Sequence, residues 1–294
     1  MKLVTHRSLQ SLALLVAVGA LLGTSACAGL APVSVLDGPA LGDGHNLRVV
    51  SYNIGLGYML ETRDPRLLRL SRNDFSIRAA LDRHPALSDF DVLGLQEVCS
   101  DDDTLARLRT VQPDLHVYFA RADPKRAGEC EKGQAVLSRY PIVAGGTITL
   151  PNRLRVVGRS AIWVDIQVPG QYHPLRVYNV HFENRGPDSV RTDQAREVMA
   201  HVNAWREDNP HSPVIVLGDF NSMGRRMRPF AKEHCIAEME KLLRSVLPNY
   251  ESTHVLDFQT DWIFFDALSL VRAKVVDIVR SDHYPVVADF VMGR

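Results

Sequence analysis

What the chain has little of sets the first limits. Of 294 residues only 4 are cysteine, too few for a disulfide-stapled scaffold. Neither sign of charge is in excess: 34 Lys+Arg balance 34 Asp+Glu for a formal net of +0. That removes the basic surplus of many nucleic-acid proteins. Aromatic residues make up 7 % and fall mostly inside strand-like runs, so no apolar hairpin stands out as a membrane-docking element. Internal repeats and low-complexity tracts are absent from Leu47 onward. What is there is ordinary: 46 % hydrophobic and 23 % charged residues exclude collagen, coiled coil or disorder as whole-chain descriptions. The length is ample for a sizeable core in one or two domains.

The N-terminus changes this arithmetic. Lys2, His6 and Arg7 precede an uncharged run, Leu12 to Leu22, and small residues follow from Gly23 to Ala28. This is the layout of an export signal. Eleven residues rise only about 16 Å as a helix, short of the roughly 30 Å hydrocarbon core, so a permanent span is not expected. Thr24-Ser25-Ala26-Cys27 resembles a lipobox, with Thr24 where leucine is preferred. The polar, Gly/Pro-rich residues 29–46 read as a tether and favour a lipid on Cys27. The alternative is plain secretion, with Ala26-Cys27-Ala28 as the cleavage site. The expected organisation is signal 1–28, tether 29–46 and one catalytic domain 47–294. Either cut removes Lys2 and Arg7 and no acid, leaving 32 basic against 34 acidic side chains, a net of −2. Cys99, Cys130 and Cys235 then remain. Their odd number leaves at least one free or paired between chains, and a loop-closing Cys99–Cys130 bridge is expected modestly ahead of two buried thiols.

From Leu47 strands alternate with helices. Strands are expected at Leu47–Asn53, Asp91–Gln96, Val117–Ala120, Gln134–Ser138, Ile142–Leu150, Ala161–Val168, Leu175–His181, Val214–Leu217, Trp262–Phe265 and Val286–Phe290. Ile162, Val164, Ile166 and Val168 alternate strictly, which puts one face of that strand on a core. Helices are expected over Arg66–Leu81 and Val190–Trp205 from their apolar spacings. The fold class is α/β with two or more sheets.

Polar residues collect where these strands begin or end. Asn53, Gln96-Glu97, His181, Asp219 with Asn221, Asp261, and Asp282-His283 all sit there. Acids directly after buried apolar runs must be solvated, paired or bound to metal, because burying bare charge is prohibitive. Any one of them is an ordinary turn former; together, with no lysine among them, they describe an oxygen-rich cleft. Such donors suit a hard cation, Mg²⁺ first and Mn²⁺ or Ca²⁺ as alternatives, rather than zinc. Two histidines beside carboxylates add proton donors and acceptors near neutral pH. Metal-assisted hydrolysis of a phosphate ester uses this set.

The motifs carrying the pattern are, in order, Val49–Asn53, Leu95–Val98, Gly133–Pro141, Asn179–His181, Leu217–Asn221, Asp261–Phe264 and Ser281–Val286. In this order they resemble the endonuclease/exonuclease/phosphatase superfamily over residues 47–292. The resemblance implies a four-layer α/β sandwich of two packed mixed sheets flanked by helices, with the site at one rim. It implies that Glu97 is the principal metal carboxylate, assisted by Asn53 and Asp282. Asp219 and Asn221 would hold the attacking water and the scissile phosphate. His283 would be general base or phosphate clamp, with Asp261 fixing its tautomer. His181 matches the second histidine of the deoxyribonuclease and sphingomyelinase branches, where it would protonate the leaving oxygen or bind the phosphate.

Around this set the bland readings stand beside the functional ones. Arg225, Arg226 and Arg228 could grip a phosphodiester backbone or form a solvated basic loop. Arg159 matches a phosphate-contacting arginine of the deoxyribonuclease branch, or guards a strand edge. Asp101-Asp102-Asp103 reads as a solvated loop or helix cap. Arg191 and Gln194 read as structural, and His201, His211 and His254 as surface residues without partners. Gly55-x-Gly57 lacks the third glycine of a dinucleotide loop. The expected protein is an exported, monomeric, metal-dependent phosphodiesterase acting on nucleic acid, with a phospholipid or inositol phosphate as the alternative substrate. Its membrane contact would be confined to the N-terminal lipid. An inactive surface binding module is the remote alternative.

Overall fold

A computed structural model describes residues 45–55, 59–60, 70–71, 89–99, 114–121, 132–152, 159–222, 233–247, 251–277 and 281–293. The expected export signal, Cys130, Asp101–Asp103 and Arg225–Arg228 lie outside them, as does the Cys99 side chain. Two six-stranded sheets form the body. The first has the order β13 (Ser269–Val275), β14 (Val286–Met292), β1 (His45–Asn53), β4 (Val92–Cys99), β6 (Lys132–Ser138), β5 (His116–Arg121). The second runs β11 (Arg244–Ser245), β12 (Asp261–Asp266), β10 (Val214–Asp219), β9 (Leu175–His181), β8 (Arg159–Ile166), β7 (Ile142–Leu150). Both sheets are mixed, because β1 pairs parallel to β4 and β9 parallel to β10 while their neighbours run antiparallel.

The alternation of apolar residues explains the layering. Val49, Val92, Ile162, Val164, Ile166, Val177, Ile215, Leu217, Ile263 and Ala288 meet between the sheets. The other face of the second sheet, with Tyr178, Val180, Val216 and Phe264, is covered by α1 (Asp188–Asp208) and α2 (His234–Glu240). From α1 come Ala195, Val198, Val202 and the partly buried Trp205, the side expected from its spacing, with Met199 added, and from α2 Ile236 and Met239. The strand Arg159–Ile166 is therefore buried on both faces, not on one: Ile162 and Val164 face the opposing sheet, Ala161 the helices. Close sheet approach is written into Gly94, where an added Cβ would lie 2.1 Å from Leu217 Cδ1. Among the described residues no helix is long and apolar enough to cross a membrane.

Three differences from the sequence expectations are informative. Leu70–Ser71 is a two-residue strand, β3, paired with β2 (Met59–Leu60), so a continuous helix over 66–81 is excluded at that point; the rest of the segment lies outside the described residues. His45 and Asn46 already pair with Met292 and Val291, so the first strand takes in the last two residues of the expected tether. β13 and α2 were not anticipated. β13 is mostly exposed and carries Arg272 and Lys274, which hides the apolar pattern of a strand.

Candidate active site

The two parallel pairs end at the same rim. Register sets Asn53 beside Gln96 at the end of β1–β4, and His181 beside Asp219 at the end of β9–β10. The antiparallel neighbour β12 begins there, with Asp261 opposite Asp219, and Asp282-His283 lead into β14. Polar bonds stitch the sheets together across the rim. Asn53 Nδ2 donates to Asp219 Oδ2 at 2.9 Å, Gln96 Nε2 to Asn179 Oδ1 at 2.7 Å, and Gln134 Nε2 to the Ser160 carbonyl at 2.6 Å. Asn179 returns two bonds of 2.9 Å to the carbonyls of Leu95 and Ala135. The amide N–H groups are paired while Gln96 Oε1 and Gln134 Oε1 are buried without a partner, and the pairing fixes one sheet's catalytic edge against the other's.

Local backbone aims the side chains. Glu97 has φ +54 at a bulge in the β4–β6 ladder, a left-handed conformation that is uncommon outside glycine and clusters at functional sites. Asn221 has φ +48; its backbone N–H donates to Asp219 Oδ1 at 2.8 Å and its Nδ2 to the Phe182 carbonyl at 3.0 Å. Gly218, at φ +141, cannot be replaced cheaply, since an added Cβ would lie 2.0 Å from the Val180 carbonyl oxygen.

Asp219 occupies the centre. It is 1 % exposed, with His181 Nε2 at 3.6 Å and His283 Nε2 at 3.7 Å from Oδ2. Burial pushes its pKa up to about 7, against the pull of the His283 charge and its two hydrogen bonds. His283 is the opposite case. Burial lowers its pKa, but Asp261, Asp219 and Asp282 outweigh it and hold the ring well above the usual histidine value. Its Nδ1 lies 2.8 Å from Asp261 Oδ2, and the same oxygen accepts Thr260 Oγ1 at 2.8 Å. Nδ1–H to Asp261 is therefore the hydrogen bond that fixes the ring and turns Nε2 to the cleft. His181 is kept neutral: burial first, then Arg159 and His283, push its pKa well down. Arg159 Nη1 stands 3.3 Å from both His181 ring nitrogens, and Nη2 donates to Asn184 Oδ1 at 3.3 Å.

Glu97 and Asp282 form the open side. Glu97 Oε1 lies 3.9 Å from His181 Nε2. Desolvation and the neighbouring Asp282 raise the Glu97 pKa, while His283 and a hydrogen bond from Asn53 pull it back. Asp282 is 40 % exposed; burial opposes its ionisation, but His254 and His283 hold its carboxyl well below the usual range. Asn53 acts as a bracket: Nδ2 faces Asp219 while Oδ1 accepts Gly55 N–H at 3.0 Å. Ligand atoms of Asp219, Asp261 and His283, and of His254, Asp282 and His283, lie within 4.8 Å of one another. Asp282 raises the Glu97 pKa and Asp261 that of Asp219; with Asp261 Oδ1 buried and unpartnered, these facing carboxylates form an electron-rich oxygen site that fits a hard divalent cation.

The structure thus brings together Asn53, Glu97, Arg159, His181, Asp219, Asn221, Asp261, Asp282 and His283, while Arg225 and Arg226 lie outside the described residues. Two readings are corrected. His254 is not a partnerless surface residue but packs on His283 and faces Asp282. His201 lies 3.0 Å from the Tyr178 hydroxyl through Nδ1. Arg191 is structural, bonding both Glu233 oxygens at 3.1 Å, and Gln194 accepts Glu183 N–H at 2.9 Å just after His181. A second group, Asp188, Glu233 and Cys235, sits where α1 and α2 begin. Asp188 accepts the His234 N–H at 2.8 Å, the expected use of an acid at a helix start. Cys235 is a free, buried thiol.

The comparisons agree with this geometry. The model of the endonuclease/exonuclease/phosphatase family matches residues 50–283. No curated protein matches the chain. Among solved structures, an endonuclease/exonuclease/phosphatase from Beutenbergia cavernae is similar at 22 % identity and TM-score 0.66, over 84 % of this chain and 72 % of that one. A mannosyl-6-phosphatase of Bacteroides thetaiotaomicron is similar at 19 % and 0.63, over 84 % and 100 %. The human Nocturnin catalytic domain with bound sulfate is similar at 19 % and 0.62, over 83 % and 94 %. The fold is the expected α/β sandwich of two mixed sheets with flanking helices, and the chain belongs to the endonuclease/exonuclease/phosphatase family, a family of divalent-metal-dependent phosphoric ester hydrolases.

Proposed function

We propose that this chain is an exported phosphodiesterase, dependent on a divalent metal, that cleaves its substrate by in-line attack of water and prefers nucleic acid. The observation that carries the reading is Asp219, buried between the imidazoles of His181 and His283 at 3.6 and 3.7 Å. A divalent cation, Mg²⁺ by preference, held by Glu97 and Asp282 with Asn53 beside them, would supply Lewis-acid polarisation of a phosphoryl oxygen. Asp219, ionised above about pH 7, accepts the proton of the attacking water. Asp261 holds His283 as an imidazolium whose Nε2–H faces the charge that develops on phosphorus. The Asn221 N–H holds Oδ1 of Asp219 and Asn53 Nδ2 holds Oδ2; the second lone pair of Oδ2, on the oxygen that faces both imidazoles, receives the proton of the water. His181 is neutral in the free protein, so binding the phosphate through a ring N–H fits it better than proton donation. Arg159, 3.3 Å away, adds a fixed cation to the same phosphate.

Nucleic acid is preferred over phospholipid because no apolar docking hairpin stands out in the sequence; the two histidines that flank the aspartate fit the deoxyribonuclease and the sphingomyelinase branch equally. Export, with Cys27 lipidated, belongs to the same proposal; Cys27→Ser should move the protein from the membrane to the soluble fraction. The deciding assay gives the mature protein plasmid DNA, sphingomyelin and an inositol phosphate side by side, with Mg²⁺, Mn²⁺ or Ca²⁺ and His283→Ala as control. Metal-dependent nicking by wild type, lost by about 10²–10⁴-fold in the variant, is expected. Choline-phosphate or inorganic phosphate release without nicking would replace the nuclease reading, and no cleavage with any metal would favour a binding module.

A further inference from the structure

A third imidazole borders the cleft. His254 lies in the segment before β12, and its backbone bridges to that of His283. Its ring meets His283 edge-on, with centroids 4.7 Å apart and planes at 89°, and Phe258 lies 6.0 Å from its centroid. The side chain is 13 % exposed, so its orientation is set by packing.

The tautomer follows from one contact. The Leu256 backbone N–H donates to His254 Nδ1 at 3.0 Å, and an N–H aimed at Nδ1 requires a lone pair there. The ring proton therefore sits on Nε2. Nε2 lies 3.7 Å from Asp282 Oδ2. With its proton in place Nε2 offers no lone pair to a cation, so His254 is not a ligand although its atoms fall within a ligand-like group. It is a donor facing a carboxylate. Asp282 needs one: at 40 % exposed it is the least confined acid of the cleft. Its other near donor, Ser281 Oγ, is 3.2 Å from Oδ1 but only 2.8 Å from the Asn53 carbonyl, and one hydroxyl proton serves the shorter bond. His283 Nε2, at 4.0 Å from Oδ1, is nearer to Asp219.

We propose that His254 is a positioning residue for metal binding: its Nε2–H faces Asp282 Oδ2 across 3.7 Å, an electrostatic contact just beyond hydrogen-bond distance, draws that oxygen toward the ring and leaves Oδ1 for the divalent cation. The proposal rests on the reading of Asp282 as a metal ligand. Partners of this kind change metal affinity by about 10–100-fold when removed.

The test is the Kd for Mn²⁺ by titration calorimetry on the full mature protein. His254→Phe keeps a ring against His283 and Phe258 and removes the donor; His254→Gln restores an N–H near the position of Nε2. The Phe variant should bind Mn²⁺ at least about tenfold more weakly, with a metal-free Tm close to wild type, and should regain cleavage at saturating Mn²⁺. The Gln variant should recover most of the affinity. Wild-type affinity in the Phe variant, or a Gln variant as weak as Phe, overturns the proposal. Should His254→Phe lose its melting transition, His254→Asn, too short to reach Asp282, takes its place with the same expectations. Glu97→Gln separates the two levels: if it binds Mn²⁺ as wild type does, the metal-site reading fails and the proposal with it.

Discussion

Asp219 and Asp165 are both buried acids of the second sheet, and they are treated in opposite ways. At the far end of the β8–β9 ladder, Asp165 receives Arg176 in a two-point grip, Nε to Oδ1 at 2.5 Å and Nη2 to Oδ2 at 2.8 Å. The guanidinium lies between the Trp163 and Trp205 rings, 4.0 and 4.3 Å from their centroids. Charge, hydrogen bonds and stacking are all matched there. Asp219 has no guanidinium. It has one amide, one backbone N–H and two imidazoles just beyond hydrogen-bond distance, and its proton is held until about pH 7. The first acid serves stability; the second is kept available for a proton, at a cost to stability.

That contrast can be broken from either side. Asp261→Asn should lower kcat by about 10²–10⁴-fold by releasing the tautomer of His283, whereas Asp165→Asn should leave kcat unchanged below its melting point and lower Tm. Arg176→Ala strands a buried carboxylate and should cost about 3–5 kcal/mol of stability in urea unfolding, with activity per folded molecule retained. The smallest effect is the most diagnostic. The Asp219 pKa is raised above the ordinary carboxyl value of 3.8. Its contribution to stability is therefore full below pH 3.8 and is lost as pH rises through about 7. Asp219→Asn removes the ionised form, so its Tm relative to wild type should climb as pH rises from about 4 to about 7 and level off by about pH 8. A relative Tm that does not climb with pH would place Asp219 in the same class as Asp165.

Most strands and nearly all the cleft were legible in the sequence, because buried strands are continuous apolar runs and the polar residues stand at their ends. Asp219, Asp261 and His283 lie in motifs that the family resemblance puts at one rim, and strand register brings Asp219 and Asp261 side by side there. What was not legible depends on contacts between distant segments. His254 has no partner at any regular spacing; it meets His283 through an isolated bridge between two loops. The left-handed Glu97 and the bulge that carries β4 on to Cys99 leave no mark in a pattern of period two. β13 escaped notice because Val271, Arg272 and Lys274 are exposed and the bulge after Leu270 breaks the period-two spacing of Leu270, Ala273 and Val275, which pack on the core. The Asp165–Arg176–Trp205 stack joins two strands and a helix that no local motif connects.

The most direct measurement is the initial rate of metal-dependent plasmid nicking between pH 5 and 9, for wild type and Asp219→Asn in parallel. With Asp219 as the proton acceptor, the wild-type rate rises with pH through about 7 and the variant stays near background throughout. A variant that nicks as fast as wild type, or a wild-type rate that does not change across this range, contradicts the role given to the buried aspartate.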